Sequence, residues 1–202
     1  MVKNLSPFFD AAIALKSVKR AGWVAKAGIS DAESVADHSF SMCAIGMALA
    51  DAMKLDAEKV MKMIVLHDLA ESAVGDYMPG QVAVKEKEAA EERAMTKILA
   101  CLPADVQSQY AGIWQEFLAG RTRIARFVHR LDKLEMAMQA QRYADNGHDG
   151  KALEQFFESA KRAVNTEDDD LAEILKSLRV LDGGGGATIK RNTGRSGQIN
   201  RR

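Results

Sequence analysis

The chain has 202 residues, 47% of them apolar and 28% charged, which is the balance of a soluble globular protein able to bury one sizeable core. No apolar run approaches the ~18 residues that span a bilayer, and the opening MVKNLSPFFD lacks the apolar stretch and small-residue cleavage site of a secretory leader, so cytoplasm is expected and a membrane is not. The formal net charge of zero hides an asymmetry: from residue 183 onward there are five basic residues and no acidic ones, leaving 23 basic and 28 acidic before it, a body too acidic to bind polyanions broadly.

Helical periodicity dominates the chain. The spacing predicts a first helix over Pro7–Ala21, with proline near its start where the missing N–H costs little. A second is expected over Ser34–Met53, and a third over Ala57–Ala73 behind Asp56 as a cap. Lys85–Leu102, rich in Glu, Lys and Ala, should stop before Pro103. Cys43 and Cys101 fall in apolar helical surroundings without paired spacing and read as buried thiols of a reducing compartment. Further helices are expected at 104–118, 122–146, 150–164 and 168–181. The last opens on an acidic run, Glu167 to Asp170, and closes with Lys176 and Arg179, the polarity a helix dipole favours. An acidic partner-binding tract is the other reading of that run.

No alternating β-branched run bounded by turn residues occurs, and no internal repeat, so strands should be few or absent. Gly183–Gly186 ends the pattern, and residues 187–202 are polar, basic and almost free of large apolar groups. The expected organisation is therefore an all-α domain over 1–182 and a flexible Gly-rich basic tail over 183–202. Without interleaved aromatics the tail is a weak nucleic-acid signal, and no such partner is expected.

The four histidines are His38, His67, His129 and His148. His67 and Asp68 come directly after the apolar run Met61–Leu66, and burying both is costly unless something pairs with them. A divalent cation does so, accepting a neutral imidazole and a carboxylate together. A His–Asp pair at a solvated helix end is the simpler account of the dipeptide alone. Glu71, four residues after His67, can share that side of a helix and could orient or deprotonate a water. His38 sits before core-facing Met42 and Ile45, where one histidine is more often a satisfied core residue. Asp132 lies beside the buried stripe Phe127, Val128, Leu131, Leu134 and Met138, where an arginine or a cation would serve it. His129 reads as a surface or core histidine, with a supporting role one turn from Asp132 as the alternative. His148, in the NGHDG turn, reads as exposed.

The order His, His-Asp, then Asp on successive helices resembles the HD-domain phosphohydrolase superfamily. VKRAGW at 18–23, ESVADHS at 33–39, LHDLAESAVGD at 66–76, KEKEAAEERAM at 85–95 and LDKLEMAMQA at 131–140 are similar to the HD-containing 5′-deoxynucleotidases, in their eukaryotic-like branch. The resemblance spans residues 5 to 165. It implies a single helical bundle in which His38, His67, Asp68 and Asp132 hold a divalent cation. Glu71 and Asp76 would stand beside it for water activation and for contacts with substrate or a second cation. Arg20 would bind phosphate, Trp23 would line the nucleotide pocket, and Tyr77 and Pro79 would belong to the substrate loop. In bacterial members the arginine and tryptophan are adjacent; here Ala21 and Gly22 intervene. A basic end to the first helix is the plainer account of Arg20, and an ordinary core position that of Trp23.

The implied activity is hydrolysis of deoxynucleoside 5′-monophosphates to deoxynucleosides and phosphate, by a homodimer. Another HD-type phosphohydrolase, cleaving a diphosphate or a cyclic phosphodiester, is the alternative within the same chemistry. A non-catalytic helical module that kept its metal is the alternative outside it, although such a site has no need of Glu71 and Asp76. Two histidines and two aspartates accept Mn, Fe, Co, Ni, Zn or Mg without distinction.

Overall fold

A computed structural model describes residues 4–78, 80–164 and 169–177; Pro79, Glu167, Asp168 and the tail expected over 183–202 lie outside the described residues. Among the described residues the fold is all-α, and the only β pairing is an isolated antiparallel bridge between Lys19 and Ser34.

The first predicted helix is broken. Helix α1 covers Ser6–Ala14 with proline in its first turn, and a 3-10 turn, Leu15–Ser17, comes next. Val18 is then extended, and α2 begins only at Ala21, ending at Ala27 on Gly28, whose φ of +65° suits a residue without a Cβ. The break has a purpose in the fold. Val35 N–H donates to Val18 O (2.8 Å) and Arg20 N–H to Glu33 O (3.1 Å), which ties the chain around Arg20 to the entry of the next helix.

Helix α3 (Val35–Ala52) starts with a reciprocal cap: Asp37 N–H donates to Ser34 Oγ, and Ser34 N–H donates to the Asp37 carboxylate. Helix α4 (Ala57–His67) is capped by Asp56, as expected, through Lys59 N–H at 3.0 Å. It stops at His67, six residues earlier than predicted. Asp68 leaves helical geometry, the chain turns, and a short helix α5 (Glu71–Val74) ends at Gly75 with φ +83°. Then come α6 (Val84–Leu99), α7 (Ala104–Ala119), α8 (Arg123–Asp145), α9 (Gly150–Val164) and α10 (Asp169–Ser177). Pro103 stands at the N-cap of α7, and α6 unwinds three residues before the predicted limit.

One continuous core fills the bundle, with Met42, Met63, Ile64, Phe127, Leu131, Leu134 and Phe157 at its centre. Each such side chain is worth about 1.5–3 kcal/mol over its exposed state. Helix α3 lies against α4 and α8, and α8 packs along α9. Gly46 sets the closeness of the first three: a Cβ there would stand 2.6 Å from Ile64 Cδ1 and 2.8 Å from Leu131 Cδ2. Gly46→Val should therefore overpack the contact between the helices that carry His38, His67 and Asp132. The expected cost is about 1–3 kcal/mol in urea unfolding, and an unchanged midpoint would show that the core yields there freely.

Candidate metal centre and cleft

Three helices deliver the candidate ligands. His38 lies in the second turn of α3, His67 is the last residue of α4, and Asp132 sits midway along α8. Donor atoms of these three lie within 4.8 Å of one another. Asp68 falls outside that set; it comes after His67 at the end of α4, with Oδ2 3.0 Å from His67 Nε2. His67, Asp68 and Glu71 thus do not share one helix, because the chain turns after His67 and sends Glu71 into α5.

Each imidazole is held from behind. His67 Nδ1 is 2.6 Å from Ile64 O, one turn earlier on α4. His38 Nδ1 is 2.6 Å from Glu135 Oε2, one turn after Asp132 on α8. Both partners accept, so each ring carries its proton on Nδ1 when neutral and presents an Nε2 lone pair to the interior. Among the described residues, the buried atoms left without a hydrogen bond include both Nε2 atoms, Asp132 Oδ1 and Glu71 Oε2. Orphaned groups of this kind are costly in a core. Two imidazole nitrogens and a carboxylate oxygen form a donor set that fits a divalent cation.

Arg20 completes the charge balance. Nη1 is 3.1 Å from Asp68 Oδ2 and Nη2 is 3.6 Å from Asp132 Oδ1, so one guanidinium spans both carboxylates. Burial opposes the charge on Arg20, but Asp68, Asp132, Asp76 and Glu71 outweigh it and hold the side chain firmly protonated. Burial would raise Asp68 and Asp132 as well. His67 and Arg20 keep Asp68 below the usual carboxylate range, and His38, 3.3 Å away, together with the charge of Lys133 does the same for Asp132. Lys133 Nζ is 2.8 Å from Asp132 Oδ2. His38 is pushed up to about 9, burial and Arg20 resisting while Asp132 and Glu135 prevail; positive charge is favoured at that position.

Glu71 behaves oppositely. It is 4% exposed, and burial together with the charges of Asp68 and Asp76 pushes its carboxyl up to about 10, against Arg20 and Lys87. Asp76 accepts from Ala21 N–H at 2.9 Å, which fixes the loop after α5 onto the start of α2.

The arginine and the acids among these groups line a cleft of about 440 Å³. Arg20, Asp68, Glu71, Asp76 and Asp132 form its polar end, Tyr77 and Trp23 lie along it, and Met136 and Phe156 supply an apolar side. Trp23 is both wall and core: it is 2% exposed, packs on Phe156 at 4.1 Å between ring centroids, and donates its indole N–H to Glu33. Pro79 lies outside the described residues. His129 is part of the packing: its ring stacks on Phe117 and its Nε2 lies 2.8 Å from Phe117 O. His148 is exposed, and Cys43 and Cys101 are half-buried free thiols where fully buried ones were expected.

Sequence reasoning missed Glu33, Glu135, Lys87, Lys133 and the cleft face of α9. Glu135 did carry a signal, since an acid stands inside the apolar stripe LEMAM one turn from Asp132. The α9 residues carried none, because an amphipathic helix does not announce what its polar edge faces.

The profile of the HD domain family matches residues 12–172. The chain is 33% identical to human "5′-deoxynucleotidase HDDC2" over 81% of its own length and 79% of that protein's. It is 37% identical to the Schizosaccharomyces pombe "5′-deoxynucleotidase hdd1", covering 79% of this chain and 83% of the relative. Among solved structures, the PH0347 protein of Pyrococcus horikoshii OT3 is similar at a TM-score of 0.72 and 29% identity, over 85% of this chain and 96% of that one. A predicted metal-dependent phosphohydrolase from Magnetospirillum magnetotacticum shares the fold at a TM-score of 0.65 and 23% identity, over 88% and 94% of the two chains. With these relatives along most of its length, and His38, His67 and Asp132 brought together from three helices, the chain belongs to the HD domain family, in the branch whose curated members are named 5′-deoxynucleotidases.

Proposed function

We propose that this protein is a metal-dependent 5′-deoxynucleotidase that hydrolyses deoxynucleoside 5′-monophosphates to deoxynucleosides and phosphate. The observation that carries the reading is the convergence of His38 Nε2, His67 Nε2 and Asp132 Oδ1, none of them with a hydrogen bond, beside Arg20, which with Asp132 lines a cleft of about 440 Å³. His38, His67, Asp68 and Asp132 would hold the cation, and Glu71 and Asp76 leave room for contact with a second. The mixed nitrogen and oxygen set does not choose among Mn, Fe, Co, Ni, Zn and Mg.

A divalent cation held there offsets phosphate charge and makes a water within its reach more acidic. Arg20 lines the cleft between Asp68 and Asp132 and would turn its planar fork to a phosphate oxygen once a cation takes over those carboxylates, its charge balancing the dianion. In-line attack forms a bond from water oxygen to phosphorus and breaks the bond from phosphorus to the 5′ oxygen. Glu71 is the group to take the proton the water gives up: it lines the cleft with Asp68 and its Oε2 has no hydrogen bond, and the charge of a cation held beside it would offset the burial and neighbouring acids that otherwise favour its protonated form. The departing 5′ oxygen takes a proton, for which Asp76 and solvent at the cleft mouth are the available routes. The nucleoside would lie along the Trp23, Met136 and Phe156 side, with Tyr77 of the loop beside it.

We also propose a homodimer in the cytoplasm. Exposed Phe40 and Met47, seven residues apart on one side of α3, support self-association, and the two free thiols support a reducing compartment.

Phosphate release measured from dAMP, dTMP and a nucleoside triphosphate, with Co²⁺, Mn²⁺, Mg²⁺ and Zn²⁺ in turn, tests the activity. Turnover of the monophosphates that stops on chelation and returns with metal is expected; inertness with every ion and ester would contradict the reading. Two substitutions separate the roles. Glu71→Gln should lower kcat by about 10²–10⁴-fold at unchanged metal content. Arg20→Lys should act mainly on KM, raising it by roughly tenfold or more, since an ammonium cannot make the paired contact. Kinetic constants and metal analysis on the same preparations check both.

A further inference from the structure

Helix α8 holds the His38 ring at both edges. Asp132 Oδ1 lies 3.3 Å from Nε2, and Glu135 Oε2 lies 2.6 Å from Nδ1. The two acids are three residues apart, a rise of about 4.5 Å along the helix, enough to place one on each side of an imidazole. His38 is 0% exposed and Glu135 only 2%. We propose that Glu135 is a positioning residue for the metal centre: it fixes His38 with the proton on Nδ1 and Nε2 directed inward, and it does not itself ligate the ion. The proposal rests on the metal-site reading above.

The two nitrogens of an imidazole point in divergent directions, so a carboxylate bonded to Nδ1 stands on the far side of the ring from an ion at Nε2. Glu33, His38 and Glu135 do bring donor atoms within 4.8 Å of one another. Glu33, however, is already engaged by the Trp23 indole N–H at 2.8 Å, and the separation of Glu135 from Nδ1 is that of a hydrogen bond. His67 offers an internal comparison. Its Nδ1 faces a neutral carbonyl, Ile64 O, whereas that of His38 faces a carboxylate. The two separations are equal at 2.6 Å, but a charged acceptor makes the stronger bond and leaves the other nitrogen a better donor to a metal. His38 is therefore the ligand tuned by a side chain, and Glu135 is the group that can be changed without touching any ligand.

The test measures Zn²⁺ affinity by chelator competition for the wild type, Glu135→Gln and His67→Ala, with the melting temperature of each in excess chelator. Glu135→Gln keeps the shape and an acceptor but removes the charge, so binding should weaken by about 10–100-fold while the metal-free melting temperature stays close to wild type. Unchanged affinity in Glu135→Gln, with wild type binding and His67→Ala losing the metal, overturns the role of Glu135 alone. Failure of the wild type to bind, or undiminished binding by His67→Ala, overturns the metal centre and this proposal together. Long-range nitrogen–proton NMR of the zinc-loaded wild type decides even if Glu135→Gln does not fold. A proton on His38 Nδ1 supports positioning, and a metal-bound Nδ1 would make Glu135 a ligand and refute it.

Discussion

The structure depends on the cost of burying ionisable groups under a helical bundle without returning their hydrogen bonds. His38, His67, Asp68 and Asp132 are nearly withdrawn from water, and Arg20 spans the two aspartates. Opposite charges in a desolvated place attract strongly, but solvation lost on burial must first be recovered. Arg20 recovers it for the carboxylates. It cannot do so for the two Nε2 lone pairs, since an imidazole already protonated at Nδ1 needs a Lewis acid or another proton at Nε2. Asp132 and Glu135, one at each edge of the ring, explain why positive charge is favoured at His38 although burial and Arg20 oppose it.

The bundle serves this demand by bringing three helices close and keeping the arginine on a separate tether. The absence of a Cβ at Gly46 lets α3 approach Ile64 and Leu131, one on each of the other ligand-bearing helices. The bridge between Lys19 and Ser34 then places Arg20 against the start of α3, so the arginine and the helix that carries His38 are tied through neighbouring backbone. Asp76 ties the loop after α5 to the same region through Ala21 N–H. Arg20, Asp76 and the segments that bear them are thus held by short-range connections, and α9 adds Phe156 to the lining of the cleft.

Much of this was legible in the residues. The helical periods located α3, α7, α8 and α9 to within a residue or two, and Asp56 caps α4 as its position suggested. The ligand candidates stood out because polar groups adjoined apolar stripes. Periodicity failed where tertiary contacts override it. Val18–Arg20 leaves the helix to pair with Glu33–Val35, a partner fifteen residues away that no local pattern reveals. The run from Ala57 to Ala73 keeps a helical pattern, yet α4 ends at His67 and the chain turns at Asp68, so that Asp68 and Glu71 line the cleft from beyond that helix. Trp23 shows a different limit, since sequence separates core from pocket wall while this indole is both. Glu33 became visible only when distant segments met, whereas Glu135 stood out as an acid inside an apolar stripe and lacked only its partner, the His38 ring.

The central claim is that four side chains, remote in sequence, share one cation. Anomalous diffraction from crystals grown with Mn²⁺ or Zn²⁺ tests it most directly. A metal peak within about 2.0–2.3 Å of His38 Nε2, His67 Nε2 and carboxylate oxygens of Asp68 and Asp132 is the expected result. A fully loaded crystal whose ion sits elsewhere, with those nitrogens still unshared, would contradict it.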